Sequence, residues 1–386
     1  MILPAVSELL ARIARHPAVE KAFGALRQNS PQQTLAGLND PAKALVAAHA
    51  VGVLRRPVIL LVKSNERAED LLESVSYFCH AVAGPITQVA MLPALDVLPW
   101  QGLSPHAEIL ETRADTLWRL SSGIIHVLIV SLPAALLRLR EAEFYRGLGR
   151  TLERDSVVEL DELLMHLAAV GYERVETAEM PGQFAARGGI VDVFSPEAMH
   201  PVRLELFGDT VESLREYDPA SQRSISPVIR ATFVPLTEFP RRREVLERVY
   251  AHASPDAAER ELREAAALPG WEFEAARLDP GATNILQLCC GSSAPLVVLD
   301  EPDALESASS EFFANMSRAS SEAETEDAAG YETLFFSETQ WKELFDSHQR
   351  LALEHLHLRQ SEPAEEMPVQ ATQKFHGNVP GFMSEV

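Results

Sequence analysis

The chain has 386 residues, 46% of them hydrophobic, which is enough for the cores of two or three domains and excludes wholesale disorder. Acidic residues number 56 against 34 basic, a net charge of −22. A phosphate backbone repels such a chain unless its basic side chains gather on one face, so a protein partner with a complementary surface fits better than nucleic acid.

The cysteines Cys79, Cys289 and Cys290 show no C-x-x-C spacing, which excludes a disulfide framework and argues against a zinc site. No run reaches the about 18–20 apolar residues of a membrane span. The best candidate, Ile124–Leu137, is interrupted by His126, Ser131 and Pro133. Met1–Glu20 carries Glu8, Arg12 and Arg15 and lacks the order of a signal peptide. It reads as one amphipathic helix of the fold, and a cytoplasmic location is the expectation.

Arg56–Val62 is an almost unbroken apolar run, suited to a strand covered on both faces. Ser64–Asp70 starts a helix that continues to Phe78. Gln88–Leu92 is a further strand, ended by Pro93. Glu108–Leu120 is an amphipathic helix with Ile109, Leu110, Leu117 and Leu120 on one face and charges opposite. Gly123–Ser131 is a strand, and Pro133–Leu139 begins the next helix. Alternating strands and helices imply a parallel sheet with helices on both faces.

The grammar changes near residue 150. Val157–Gly171 reads as one helix, and short alternating runs follow: Gly182–Gly188, Ile190–Phe194, Val202–Phe207 and Val211–Arg215. Gly208-Asp209 is a tight turn between the last two. One helix and an antiparallel meander make an α+β module. Beyond it, Arg241–Ala267 is charged and helical, the apolar run Ile285–Leu288 before Cys289 reads as a buried strand, and Ala294–Asp300 is another. Ser317–Gly330 reads as a mobile surface loop between the core material of Phe312-Phe313 and Leu334-Phe335-Phe336. Gln360–Gln373 reads as a linker, and His376–Val386 as the entry to a further domain outside this chain. His355 and His357 share a side of a strand but lack a third metal ligand.

Thr34–Ala44 sits where a strand turns into a helix, the context of a phosphate loop, G-x-x-x-x-G-K-[ST]. Here the pattern is Gly37, four residues, Ala42, Lys43, Ala44. Ala42 replaces the glycine, Ala44 removes the hydroxyl that holds Mg²⁺, and Pro41 deletes an N–H. The loop reads as a dead nucleotide site, with Lys43 an ordinary solvated helix lysine.

Six stretches carry a family resemblance. Leu92–Asp96, Pro99–His106 and Glu111–Trp118 resemble transcription-repair coupling factors. Gly171–Arg174, Gly182–Phe194 and Arg203–Asp218 resemble the domain through which both coupling factors and the excision-repair protein UvrB bind the ATPase UvrA. The long aromatic hairpin with which UvrB grips DNA has no room between Pro99 and Glu108, and Trp100 and Trp118 read as packing residues. The chain is identified as resembling the N-terminal UvrB-homology region of a bacterial coupling factor, cut before its RNA-polymerase-binding and motor domains.

The resemblance implies an α/β fold: a degenerate RecA-like parallel-sheet core with an inserted module like the second domain of UvrB. Residues 1–148 would be the first part of the core, 149–236 the UvrA-binding module, 237–358 the remainder of the core, and 359–386 a linker and the start of the next domain. It implies a docking unit for transcription-coupled nucleotide excision repair, not an enzyme, without cofactor or metal of its own. ATP, Mg²⁺, RNA polymerase and duplex DNA would belong to the absent domains, and a C-terminal regulatory domain would mask the module in the whole protein.

The partner residues expected for UvrA are Arg187 first and Arg174 second, as interface arginines, with the aromatics Phe184 and Phe194, which lie ten residues apart and so share strand parity. Asp192, Glu205 and Asp209 read as turn and surface carboxylates. Two alternatives stay open: a UvrB-like fragment that binds ATP and DNA, and a scaffold that contacts only its own chain.

Overall fold

The computed structural model describes residues 4–250, 269–289, 293–322, 333–357 and 363–369. Helices α1 (Pro4–Ala14) and α2 (Pro17–Arg27) open the chain. The single amphipathic helix expected at the N-terminus is thus two, because Pro17 can begin a helix but not continue one. Strands β1 (Gln32–Ala36), β2 (Val58–Val62), β3 (Val89–Leu92) and β4 (Val127–Ser131) alternate with α3 (Asp40–Leu54), α4 (Asn65–Phe78) and α5 (Ala107–Ser121). Ser64 caps α4 by accepting from the Arg67 N–H at 3.3 Å.

These strands join β13 (Leu296–Asp300), β14 (Arg350–Leu353) and β15 (Glu365–Glu366) in one seven-stranded sheet, ordered β15-β1-β14-β13-β2-β4-β3 and parallel throughout. Every residue of β2, β4 and β13 is buried, the condition that makes their sequences continuous apolar runs. Alternation persists beneath the uniform chemistry. Val58, Leu60 and Val62 pack with α2, α3 and α4 on one face, while Ile59 and Leu61 pack on the other. This is the RecA-like core.

The inserted module is bracketed by β5 (Arg150–Glu153) and β12 (Arg230–Phe233), which pair antiparallel as its chain enters and leaves. Between them a six-stranded sheet runs in the order β11 (Ser224–Pro227), β10 (Thr210–Tyr217), β9 (Val202–Phe207), β8 (Ile190–Phe194), β7 (Gln183–Arg187), β6 (Glu173–Arg174). The helix Leu160–Ala169 covers one face with Leu163 and Leu167. That face is continuous with the core: Phe184, Val191, Val193 and Leu204 share one buried cluster with Leu128, Val130 and Val297 of the large sheet.

Several expectations need correction. Ile285–Leu288 is a short helix, not a strand: Asn284 caps it by accepting from the Gln287 N–H at 2.8 Å, and four apolar residues alone cannot distinguish the two periods. Pro133–Leu139 is helical only over Leu132–Leu136, after which Leu137 and Leu139 bridge to Phe335 and Thr283. Ser317–Glu322 is the last part of the helix Pro302–Glu322, not loop, and residues 323–330 lie outside the described residues. Within the expected linker, Glu365 and Glu366 pair with Leu35 and Ala36 as the edge strand of the core. The helical pattern of Arg241–Ala267 is described only over Arg243–Tyr250, and Cys290 and His376–Val386 lie outside the described residues.

Candidate docking face and degenerate phosphate loop

Strands β7 and β8 form a hairpin whose turn is Gly188-Gly189. Gly188 has φ +60°, and a Cβ on Gly189 would stand 2.7 Å from the Leu206 carbonyl oxygen, so only glycine lets β9 approach. Across this turn Phe184 pairs with Val193 and Gln183 with Phe194. Each pair joins an odd to an even position, so parity inverts through the hairpin. Phe184 and Phe194 therefore lie on opposite sides of the sheet, against the expectation drawn from their separation. Phe184 is 1% exposed and Phe194 is 8% exposed. Neither is available to a partner, and both are corrected from docking residues to core.

The two arginines are exposed, as a docking role requires. Arg174 stands in register with Phe184 across the parallel pair β6–β7, whereas Arg187 is opposite Ile190 on the other side of the sheet. Arg187 donates to the Glu176 carbonyl oxygen at 2.8 Å, which holds its guanidinium over the loop that follows β6. The structure thus presents them from two sides and not as one pair.

The side of the sheet away from the helix bears Arg187, Ile190, Asp192, Arg203, Glu205 and Phe207, aligned by the β7–β8–β9 register. At its centre Arg203 grips Asp192 in a fork, Nε and Nη2 each 2.7 Å from a carboxylate oxygen, and lies over the Tyr217 ring at 4.5 Å. Glu205 accepts from Ser213 Oγ at 2.7 Å and pairs with Arg215. The Ser213 hydrogen bond, aided by Arg215, holds the Glu205 carboxyl below the usual carboxylate range. Of the three carboxylates read as turn and surface groups, Asp192 and Glu205 are held in ion pairs, and Asp209 is exposed in the turn after β9.

Toward the hairpin tips the face turns apolar. Phe207 is 80% exposed and Ile190 is 40% exposed, beside Arg187. Sequence reasoning missed both. The signal available was that Phe207 closes the alternation of Val202–Phe207 on the same side as Arg203 and Glu205, where a polar residue was due.

The turn after β1 holds the residues expected to form a degenerate phosphate loop. Lys43 is 3% exposed, contrary to the solvated lysine expected. Its ammonium contacts Asp300 at 2.7 Å and Glu301 at 2.5 Å, and Arg67 Nε adds 2.6 Å to Asp300. Asp300 and Glu301 follow the apolar run of β13, where a P-loop NTPase keeps the acidic residue that holds Mg²⁺. That signal, Leu-Val-Val-Leu-Asp-Glu at 296–301, was legible in the sequence and passed over. The loop amides are engaged as well: Leu38 N–H donates to the Glu354 carbonyl at 3.0 Å, Lys43 N–H to the Asn39 carbonyl at 2.9 Å, and Ala42 N–H to Asn39 Oδ1 at 3.0 Å. Among the described residues no group of three or more His, Cys, Asp or Glu side chains could hold a metal ion, and no helix is long and apolar enough to cross a membrane.

A second buried pair joins α5 to the segment that follows the module. Arg113 of α5 is fully buried, forks onto Glu238, and donates through Nη1 to the Pro93 carbonyl at 2.6 Å. The sequence pattern of this helix places its charges opposite the apolar face. Arg113 instead stands between Leu110 and Leu117 in the apolar stripe.

Comparison with known proteins gives this geometry its setting. The family described as the UvrB interaction domain matches residues 151–239. A transcription-repair-coupling factor of Myxococcus xanthus is 33% identical over 204 residues, 52% of this chain and 17% of the relative. The Escherichia coli (strain K12) transcription-repair-coupling factor is 29% identical over 216 residues, 56% of this chain and 18% of the relative. UvrABC system protein B of Protochlamydia amoebophila is 25% identical over 227 residues, 56% of this chain and 34% of the relative. The chain thus spans less than a fifth of these coupling factors and about a third of that UvrB. About half of this chain is similar to transcription-repair-coupling factors, and residues 151–239 match the UvrB interaction domain.

Proposed function

We propose that this region docks the damage-sensing ATPase UvrA through the open face of the inserted module, and so serves transcription-coupled nucleotide excision repair. The observation that carries the reading is the union of Arg187, Ile190 and Phe207 at the tips of two rigid hairpins, within the stretch matched by the UvrB interaction domain. Arginine and large aromatics are the usual energetic centres of interfaces, and strands hold them without the entropy loss of ordering a loop. The Arg203–Asp192 and Glu205–Arg215 pairs supply the polar surround.

In the whole protein, other domains would supply the ATP-driven translocation on duplex DNA and the displacement of stalled RNA polymerase, with ATP and Mg²⁺ as their cofactors. This region would then act in the cytoplasm as a recruiter without chemistry of its own. A C-terminal regulatory domain is the intramolecular partner expected to cover the face at rest.

The test is calorimetric binding of purified UvrA to this chain and to an Arg187→Glu, Phe207→Ala variant with an unchanged melting curve. Loss of two interface centres should weaken binding by at least about thirtyfold, or about 2 kcal/mol. Full affinity in the variant would move the site elsewhere on the module. No binding by the parent chain would overturn the UvrA reading and favour contacts within its own protein.

A further inference from the structure

We infer that the degenerate phosphate loop is a seat for this chain's own strap, Glu365–Val369, and that Gly37 serves that strap and not a nucleotide. The strap crosses the turn at backbone distance: Met367 N–H donates to the Ala36 carbonyl at 2.8 Å and Val369 N–H to the Gly37 carbonyl at 3.0 Å. It continues the pairing of Glu365 and Glu366 with Leu35 and Ala36. Lys21 of α2 fixes its start through Glu365 at 2.6 Å. Met367 is buried in the same apolar cluster as Leu35 and Leu38, so the strap is packed as well as hydrogen-bonded.

Gly37 is the residue that makes the crossing possible. Its φ is +84°, and a Cβ there would lie 2.9 Å from the Met367 carbonyl oxygen and 3.0 Å from Pro368 Cα. In a working phosphate loop the glycines admit phosphate oxygens close to backbone N–H groups. Here the close approach is made by polypeptide. Two donors a triphosphate would use are already committed, Leu38 N–H to Glu354 and the Lys43 ammonium to Asp300 and Glu301. Opposite charge and hydrogen-bond capacity are therefore matched inside the chain, and the turn has become a joint between the core and its last described strand.

Hydrogen exchange read by mass spectrometry on the intact chain tests the assignment. The Met367 and Val369 amides should be protected in the parent, because they bond to the Ala36 and Gly37 carbonyls. In Gly37→Ala, protection of 365–369 should fall at least about tenfold while β2 and β13 stay as in the parent. Met367→Ala loosens the strap from its other side without touching the turn, and should give the same local loss even where Gly37→Ala also disturbs the core. Adding millimolar Mg-ATP to the parent should leave exchange at 37–44 unchanged. Unprotected 365–369 in the parent, unchanged protection in Met367→Ala, or slowed exchange at 37–44 with Mg-ATP would each overturn the inference.

Discussion

Replacing Arg113 with methionine should be among the most damaging single changes in the molecule. Arg113 is fully buried and its partner Glu238 is 5% exposed, so the variant leaves a carboxylate out of water with no counter-charge. It also strips the Pro93 carbonyl of a donor at 2.6 Å. Breaking a buried pair from one side costs about 3–5 kcal/mol, against a typical domain stability of about 5–15 kcal/mol. Removing both partners, in Arg113→Met with Glu238→Leu, eliminates the stranded charge and should recover stability to within about 1–2 kcal/mol of the parent. Urea unfolding followed by tryptophan fluorescence and by far-ultraviolet dichroism gives the four corners of the cycle. The expected coupling is at least about 2 kcal/mol, because the residues touch. A single variant within about 1 kcal/mol of the parent, or a double variant as unstable as the sum of the singles, would refute the reasoning.

Lys43→Met should cost less than the Arg113 change, about 2–3 kcal/mol by the same urea assay, because Arg67 keeps its contacts to Asp300; a cost above that of Arg113→Met would contradict it. Burial holds the imidazoles of His49 and His166 below the ordinary histidine value of 6.5, with Arg27 and Arg150 adding to the effect. The unfolded chain then binds protons first, so stability should fall as pH drops below about 6.5 and level off below the folded values. A His49→Gln, His166→Gln variant should lose that slope, and an unchanged profile of melting temperature against pH would count against the assignment. The Cys79 thiol is fully buried and pushed up to about 12 by that burial, so its peptide should stay unalkylated by iodoacetamide at pH 8 in the native chain and react in urea. Native labelling at the rate of the unfolded chain would show the site to be open.

The sequence by itself determined the elements whose signal is local. The buried runs Val58–Val62 and Leu296–Asp300 fitted central parallel strands, since they are apolar until the terminal aspartate and rich in β-branched residues. The alternation of Val202–Phe207 and the Gly-Asp turn after it fixed a hairpin. The split of Met1–Glu20 at Pro17 was equally local and was overlooked.

Only the tertiary structure decided what depends on partners distant in sequence. The opposite sides taken by Phe184 and Phe194 turned on an odd pairing sum across Gly188-Gly189, which no count along one strand reveals. Lys43 became a buried cation because Asp300 lies 257 positions away in sequence and 2.7 Å away in space. Arg113 could enter an apolar stripe because Glu238 returns from the module to meet it. Glu365–Val369 looked like linker because its polar, proline-bearing composition hides a backbone that completes β1. Desolvation sets the sign of each of these roles: a charge is costly in the interior until its partner arrives, and the partner's arrival is a property of the fold.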